Sequence, residues 1–95
     1  MKIRNEAERV MFEKTIDRCH MPIWLVTPHG DNYDLKKPAE RCVGIAEMIK
    51  ATEYNEPEIF ASCYEDEMIM FDFIIAQKAS LVEICFYKAK GHPTG

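Results

Sequence analysis

The sequence has no excess of positive charge. Lys and Arg together number 12 against 16 Asp and Glu, and the formal net charge at pH 7 is −4. Proteins that bind nucleic acid normally present a basic patch or stripe to the phosphates. We therefore expect no direct binding to nucleic acid.

Long apolar runs are also absent. The apolar stretches extend over only a few residues, far fewer than the ~20 that a membrane-spanning helix needs. The opening residues, MKIRNEAERVMFEK, turn charged where a secretion signal would be apolar. These features predict a cytoplasmic protein without a membrane span.

The four cysteines form no CxxC pair. They are spread evenly along the chain, at Cys19, Cys42, Cys63 and Cys85. A structural zinc site normally uses closely paired Cys or His ligands, so we expect no metal and no cofactor. Without a secretion signal, reduced and buried thiols are favoured over disulfides. A disulfide or a catalytic thiol remains the alternative.

The chain is nevertheless apolar enough to fold. Its 95 residues are 47% hydrophobic, which is typical of one small globular domain. Asn5 and Glu8 form a capping-box-like pair, and they predict a helix over residues 5–19. Residues 23–27, IWLVT, read as a strand that is covered on both faces. Apolar residues at helical spacing after Pro38 predict a second helix over residues 38–53.

The last third allows two interpretations. As a helix, residues 57–77 would place Asp66 and Glu67 on the apolar face, where unpaired charges are costly. As strands 58–64 and 68–76, with the acids 65–67 at the turn, the same residues alternate as a sheet requires. We favour the strands and expect another at 81–88, although no Asn-Gly or Asp-Gly marks a tight turn. The predicted core face of the sheet comprises Ile69, Phe71, Phe73, Ile75, Val82, Ile84 and Phe86.

The predicted fold is therefore a single α+β domain over residues 1–95. Its order is α-β-α-β-β-β, with two helices packed on one face of a small, mostly antiparallel sheet. The opposite sheet face would then be unusually apolar, and large exposed apolar patches mark partner surfaces. We predict an interface there, with self-association first, through Met68, Met70, Ile74, Cys85 and Tyr87. Coverage of this face within one chain is the alternative.

Cations gather around the predicted start of the second helix, in TPHGDNYDLKKPAER. A helix dipole disfavours positive charge at this end, whereas free N–H groups and nearby cations make an anion site. A nucleotide or other small anion would bind through His29, Gly30, Tyr33, Lys36, Lys37 and Arg41. In the competing interpretation, Asp31 and Asp34 simply neutralise the lysines. The segment matches no phosphate-binding loop motif.

The sequence provides no convincing set of nucleophile, base and orienting group. We therefore predict a non-enzymatic interaction protein that self-associates and acts by binding another protein. A short acidic chain of this kind suits a regulator or inhibitor of a larger protein, including those encoded by phages or mobile elements. The second hypothesis is the anion-binding protein, and the third is a small enzyme that uses Cys19 or His29.

Overall fold

The computed structural model describes the backbone of residues 1–89 and the side chains of residues 1–79. Three helices and a three-stranded antiparallel sheet alternate along the chain, so the predicted α+β class is confirmed. The order is α-β-β-α-β-α, with elements α1 (Glu6–Arg18), β1 (Ile23–Val26), β2 (Asn32–Asp34), α2 (Pro38–Lys50), β3 (Glu58–Ala61) and α3 (Tyr64–Ala89).

Helix α1 begins as its sequence predicts. Asn5 has an extended backbone, and its side chain accepts a hydrogen bond from the Glu8 N–H at 2.9 Å. The Glu8 carboxylate reaches back one residue further than in a standard capping box, and it pairs with the N–H and guanidinium of Arg4. These contacts satisfy donors at the free N-terminal end of the helix.

The sheet has strand order β2-β1-β3, with both neighbouring pairs antiparallel. Strand β2 was missed, because residues 28–37 carry turn signals and only three of them pair with β1. Ile23 and Leu25 point into the core, whereas Trp24 between them is 38% exposed. The prediction that residues 23–27 are covered on both faces is therefore wrong for this residue.

Helix α2 lies very close to the segment that follows β2, and Gly44 makes that approach possible. A Cβ atom built on Gly44 would lie 2.7 Å from Cδ2 of Leu35, a side chain that is fully buried. Gly44 lowers helix propensity by about 1 kcal/mol relative to Ala. The tight contact explains why a glycine stands in the middle of this helix.

The two strands predicted beyond β3 are wrong, because residues 64–89 form the single helix α3. Asp66 does enter the buried face of this helix, as the helical interpretation required, and its side chain is fully buried. Its carboxylate accepts hydrogen bonds from the N–H groups of His20, at 3.0 and 3.1 Å, and of Met21, at 2.7 Å. Glu67 is exposed. The penalty expected for a buried charge is thus offset by backbone donors that follow α1.

The core lies where the helices meet the inner face of the sheet. Phe12 of α1 and Phe73 of α3 pack with their ring centroids 5.6 Å apart. The residues of the central cluster are Ile3, Phe12, Ile16, Cys19, Ile23, Leu25, Leu35, Ile45, Met48, Met70 and Phe73. Among the predicted sheet-core residues, Phe73 is buried, but Phe71 and Ile75 are about half exposed. Val82, Ile84 and Phe86 lie outside the described side chains.

Candidate interaction surface

The cation-rich segment 27–41 spans a turn, strand β2 and the start of α2. His29 and Gly30 lie in the exposed turn between β1 and β2, where Gly30 has a positive φ of 94°. Tyr33 is half-buried on β2. His29 and Gly30 thus lie in the hairpin turn, at the opposite end of β2 from the lysines that precede α2.

Lys36 satisfies the end of helix α1. Its ammonium group donates to the carbonyl of Ile16 at 3.1 Å and to the carbonyl of Cys19 at 2.6 Å. The last carbonyls of a helix have no partner within the helix and carry partial negative charge. A cation that looks misplaced at the start of α2 is therefore well placed at the end of α1.

Arg41 is also held by α1. Its Nη2 lies 2.9 Å from Oδ1 of Asp17, and its Nε donates to the carbonyl of Leu35 at 2.7 Å. Lys37 is exposed and lies 3.7 Å from Oε2 of Glu40. Nearby acids thus pair with Arg41 and Lys37, whereas Lys36 is held by carbonyls, and the acids are not Asp31 and Asp34. An anion would have to compete with these contacts, and the anion-site hypothesis stays a prediction.

The contacts of Lys36 lead to a stability prediction. We expect Lys36→Met to lower the free energy of unfolding by about 1–2 kcal/mol, because two carbonyls at the end of α1 lose a charged donor. Lys37→Met is the matched control and should change stability by less than about 0.5 kcal/mol. Urea unfolding of both variants measures the difference. Equal effects would show that the α1 contacts of Lys36 do not matter.

The cysteine and histidine residues of the enzyme hypothesis lie far apart along the fold. Cys19 precedes β1 and is buried, whereas His29 follows β1 and is exposed. Burial, with a further contribution from the nearby Asp66 carboxylate, raises the pKa of the Cys19 thiol. A protonated, buried thiol is a poor nucleophile. Among the described side chains of residues 1–79, no three His, Cys, Asp or Glu residues come together as metal ligands.

The predicted interface residues do not form a sheet face. Met68, Met70 and Ile74 lie on helix α3, where Met70 is buried in the core, Met68 is exposed and Ile74 is half-buried. Cys85 and Tyr87 are also within α3, and their side chains lie outside the described residues. Strand alternation placed Met68 and Met70 on one face, but successive helical residues differ by about 100°.

Helix α3 instead presents a different apolar surface, which we call the α3 seam. It consists of Tyr64, Met68, Phe71 and Ile75, which are 74%, 41%, 51% and 49% exposed. Their spacing of four, three and four residues is that of the a and d positions of a coiled coil. Asp66, Met70 and Phe73 face the core from the opposite side of the helix. Over residues 64–79, helix α3 is therefore apolar on two sides, of which the described part of the chain covers one.

A groove of about 920 Å³ runs beside the α3 seam, between α3 and the segment that leads into β3. Pro57, Ile59, Phe60 and Ile74 provide its apolar lining, and charged side chains, including that of Lys78, line it as well. Ile74 follows Phe71 by three residues, so the groove adjoins the seam directly. Ile74 and Lys78 of α3 line the groove, whereas the four seam residues do not.

The outer face of the sheet adds a second apolar patch. Trp24 and Phe60 are directly opposite one another on β1 and β3, and both side chains are partly exposed. The apolar run IWLV contains no polar residue that would indicate which face of the strand is exposed, so it does not predict this patch.

No family model, no curated protein and no solved structure matches this chain. In the part of the chain that the structure describes, no helix combines the length and the hydropathy needed to cross a membrane.

Proposed function

We propose that this chain is a non-enzymatic interaction protein of the cytoplasm that self-associates through the α3 seam and acts by binding. The observation that carries the proposal is four large apolar side chains, Tyr64, Met68, Phe71 and Ile75, that are exposed at coiled-coil spacing on one helix. Free thiols at Cys19, Cys42 and Cys63 suit a reducing compartment.

The amount of exposed apolar surface supports a reversible association. Covering about half of four such side chains on each of two chains contributes on the order of 5–10 kcal/mol before the costs of association. The adjoining groove enlarges the surface that a partner can cover. Since association itself costs at least about 4 kcal/mol, we expect a weak dimer with a dissociation constant of roughly tens of micromolar to millimolar order. A dimer that dissociates readily can release the same surface to bind a larger protein, as a regulator or inhibitor would require.

Light scattering or sedimentation over a wide range of concentrations tests the proposal. The mass of the wild-type chain should rise from that of one copy to that of two. Ile75→Glu should raise the dissociation constant at least about a hundredfold, because it places two charges within the apolar contact. Circular dichroism should show an unchanged fold, since Ile75 lies outside the core cluster.

Val43→Glu is the matched control for this substitution. Val43 is 45% exposed, close to the 49% of Ile75, but it lies on α2. It should leave the association intact. A wild-type mass that stays at one copy, or equal effects of the two glutamates, would refute the proposal.

A further inference from the structure

The charges along α3 are distributed unevenly. Its first half carries Glu65, Glu67 and Asp72, which are exposed, and the buried Asp66. The second half carries Lys78 and Lys88 against a single acid, Glu83. The sequence of the helix is therefore acidic near its start and more basic towards its end.

Lys78 occupies the next position of the α3 seam, three residues after Ile75. It is exposed, and its own helix offers it no acidic neighbour, because Ile74, Ile75, Leu81 and Val82 stand three and four residues away. Only side chains at those distances meet on a helix. Glu53, Glu56 and Glu58 line the groove together with Lys78, but the ion pairs among the described side chains do not include Lys78. A carboxylate of a partner can therefore still pair with this lysine.

The orientation of a second copy decides whether that anion is present. In a parallel pair in register, Lys78 faces the partner's Lys78 and acids face acids. In an antiparallel pair the acidic half of each helix lies against the basic half of the other. Such charge pairs determine whether coiled-coil helices associate in parallel or antiparallel orientation.

We propose that the occupant of the α3 seam is a second copy of this chain, with the two α3 helices antiparallel. This inference rests on the proposed function. Antiparallel a and d positions then place Phe71 opposite the partner's Ile75, and Met68 opposite the partner's Lys78. Asp72 follows Met68 by about one helical turn. The two Asp72 carboxylates thus flank the twofold axis, and the partner's Lys78 lies about one helical turn from each of them. The two ammonium groups offset the repulsion between the carboxylates, and the four groups carry no net charge.

Charge reversal at these two positions tests the orientation. Either Lys78→Glu or Asp72→Lys alone leaves four like charges at the axis, and each should raise the dissociation constant about tenfold. The double variant Asp72→Lys/Lys78→Glu should restore the wild-type value. Residues six apart do not meet on one helix, so any such recovery reports a contact between two chains.

Lys14→Glu, at an exposed position of α1, makes the same change in net charge and should have no effect. In a parallel dimer, Lys78→Glu merely exchanges one like-charge pair for another, and the affinity stays the same. If the single reversals leave the dissociation constant unchanged, or if the double variant does not restore the wild-type value, the antiparallel arrangement is wrong. Self-association itself would still hold. A wild-type chain that never dimerises defeats the proposed function itself.

Discussion

Replacement of Asp66 by Ala is expected to lower the melting temperature by about 10 °C. The Asp66 carboxylate is fully buried, and it accepts hydrogen bonds from the N–H groups of His20 and Met21. It thereby ties the start of α3 to the segment that joins α1 to β1. Alanine leaves both donors without a partner and leaves space where the carboxylate stood. Thermal unfolding followed by circular dichroism measures the loss.

Glu67→Ala removes a neighbouring but exposed acid and should change the melting temperature little. Acidification provides an independent check. Burial acts to raise the pKa of Asp66, but hydrogen bonds from His20, Met21 and Cys63 hold it below its ordinary value. Its contribution is thus present at neutral pH and is lost as the pH falls below about 4. Wild type should lose more stability than Asp66→Ala in that range, and parallel losses would contradict this role.

Asp66 also explains why the last third was misread. The sequence shows that a helix would bury this carboxylate, and an unpaired buried charge is indeed unfavourable. What the sequence does not show is that His20 and Met21, more than 40 residues earlier, would present two N–H groups to it. The cost of an unpaired buried carboxylate was judged correctly, but it favoured strands over the helix that forms. The donors that compensate the charge come from a distant part of the chain.

Local signals were reliable where the partners are also local. The Asn5 cap, the Pro38 start and the apolar spacing of α2 lie within their own helices, and both helices form close to the predicted bounds. Lys36 shows the opposite case, since its carbonyl partners on α1 lie 17 and 20 residues away along the chain. The sequence shows a lysine at an unfavourable position just before α2, but it does not show that the end of α1 provides its partners.

The surplus of apolar residues was visible in the sequence, but their faces depended on the period chosen. A period of two residues groups Met68 with Met70 and Phe71 with Phe73. The helical period separates both pairs, and it sends Met70 and Phe73 into the core while Met68 and Phe71 stay exposed. Among the predicted interface residues with described side chains, Met68 therefore lies in the α3 seam, Ile74 lines the adjoining groove and Met70 is in the core.

The different environments of Phe71 and Phe73 lead to a second prediction with a large effect. Phe73→Ala should lower the free energy of unfolding by about 3 kcal/mol, because Phe73 is only 8% exposed and packs against Phe12. Phe71→Ala should cost a single chain less than about 0.5 kcal/mol, since Phe71 is half exposed. The same substitution should weaken self-association at least about tenfold, because the seam loses a central anchor on both copies.

Two measurements separate the roles. Urea unfolding at a protein concentration low enough to keep the chains apart reports the folding of one copy, since association would otherwise add to stability. Sedimentation at high concentration reports the assembly. A strand would place both phenylalanines on one face and give them similar effects in both measurements. In a helix with one covered and one exposed side, Phe73→Ala should mainly reduce folding stability and Phe71→Ala should mainly reduce self-association. This difference connects the helical fold of α3 with its proposed function.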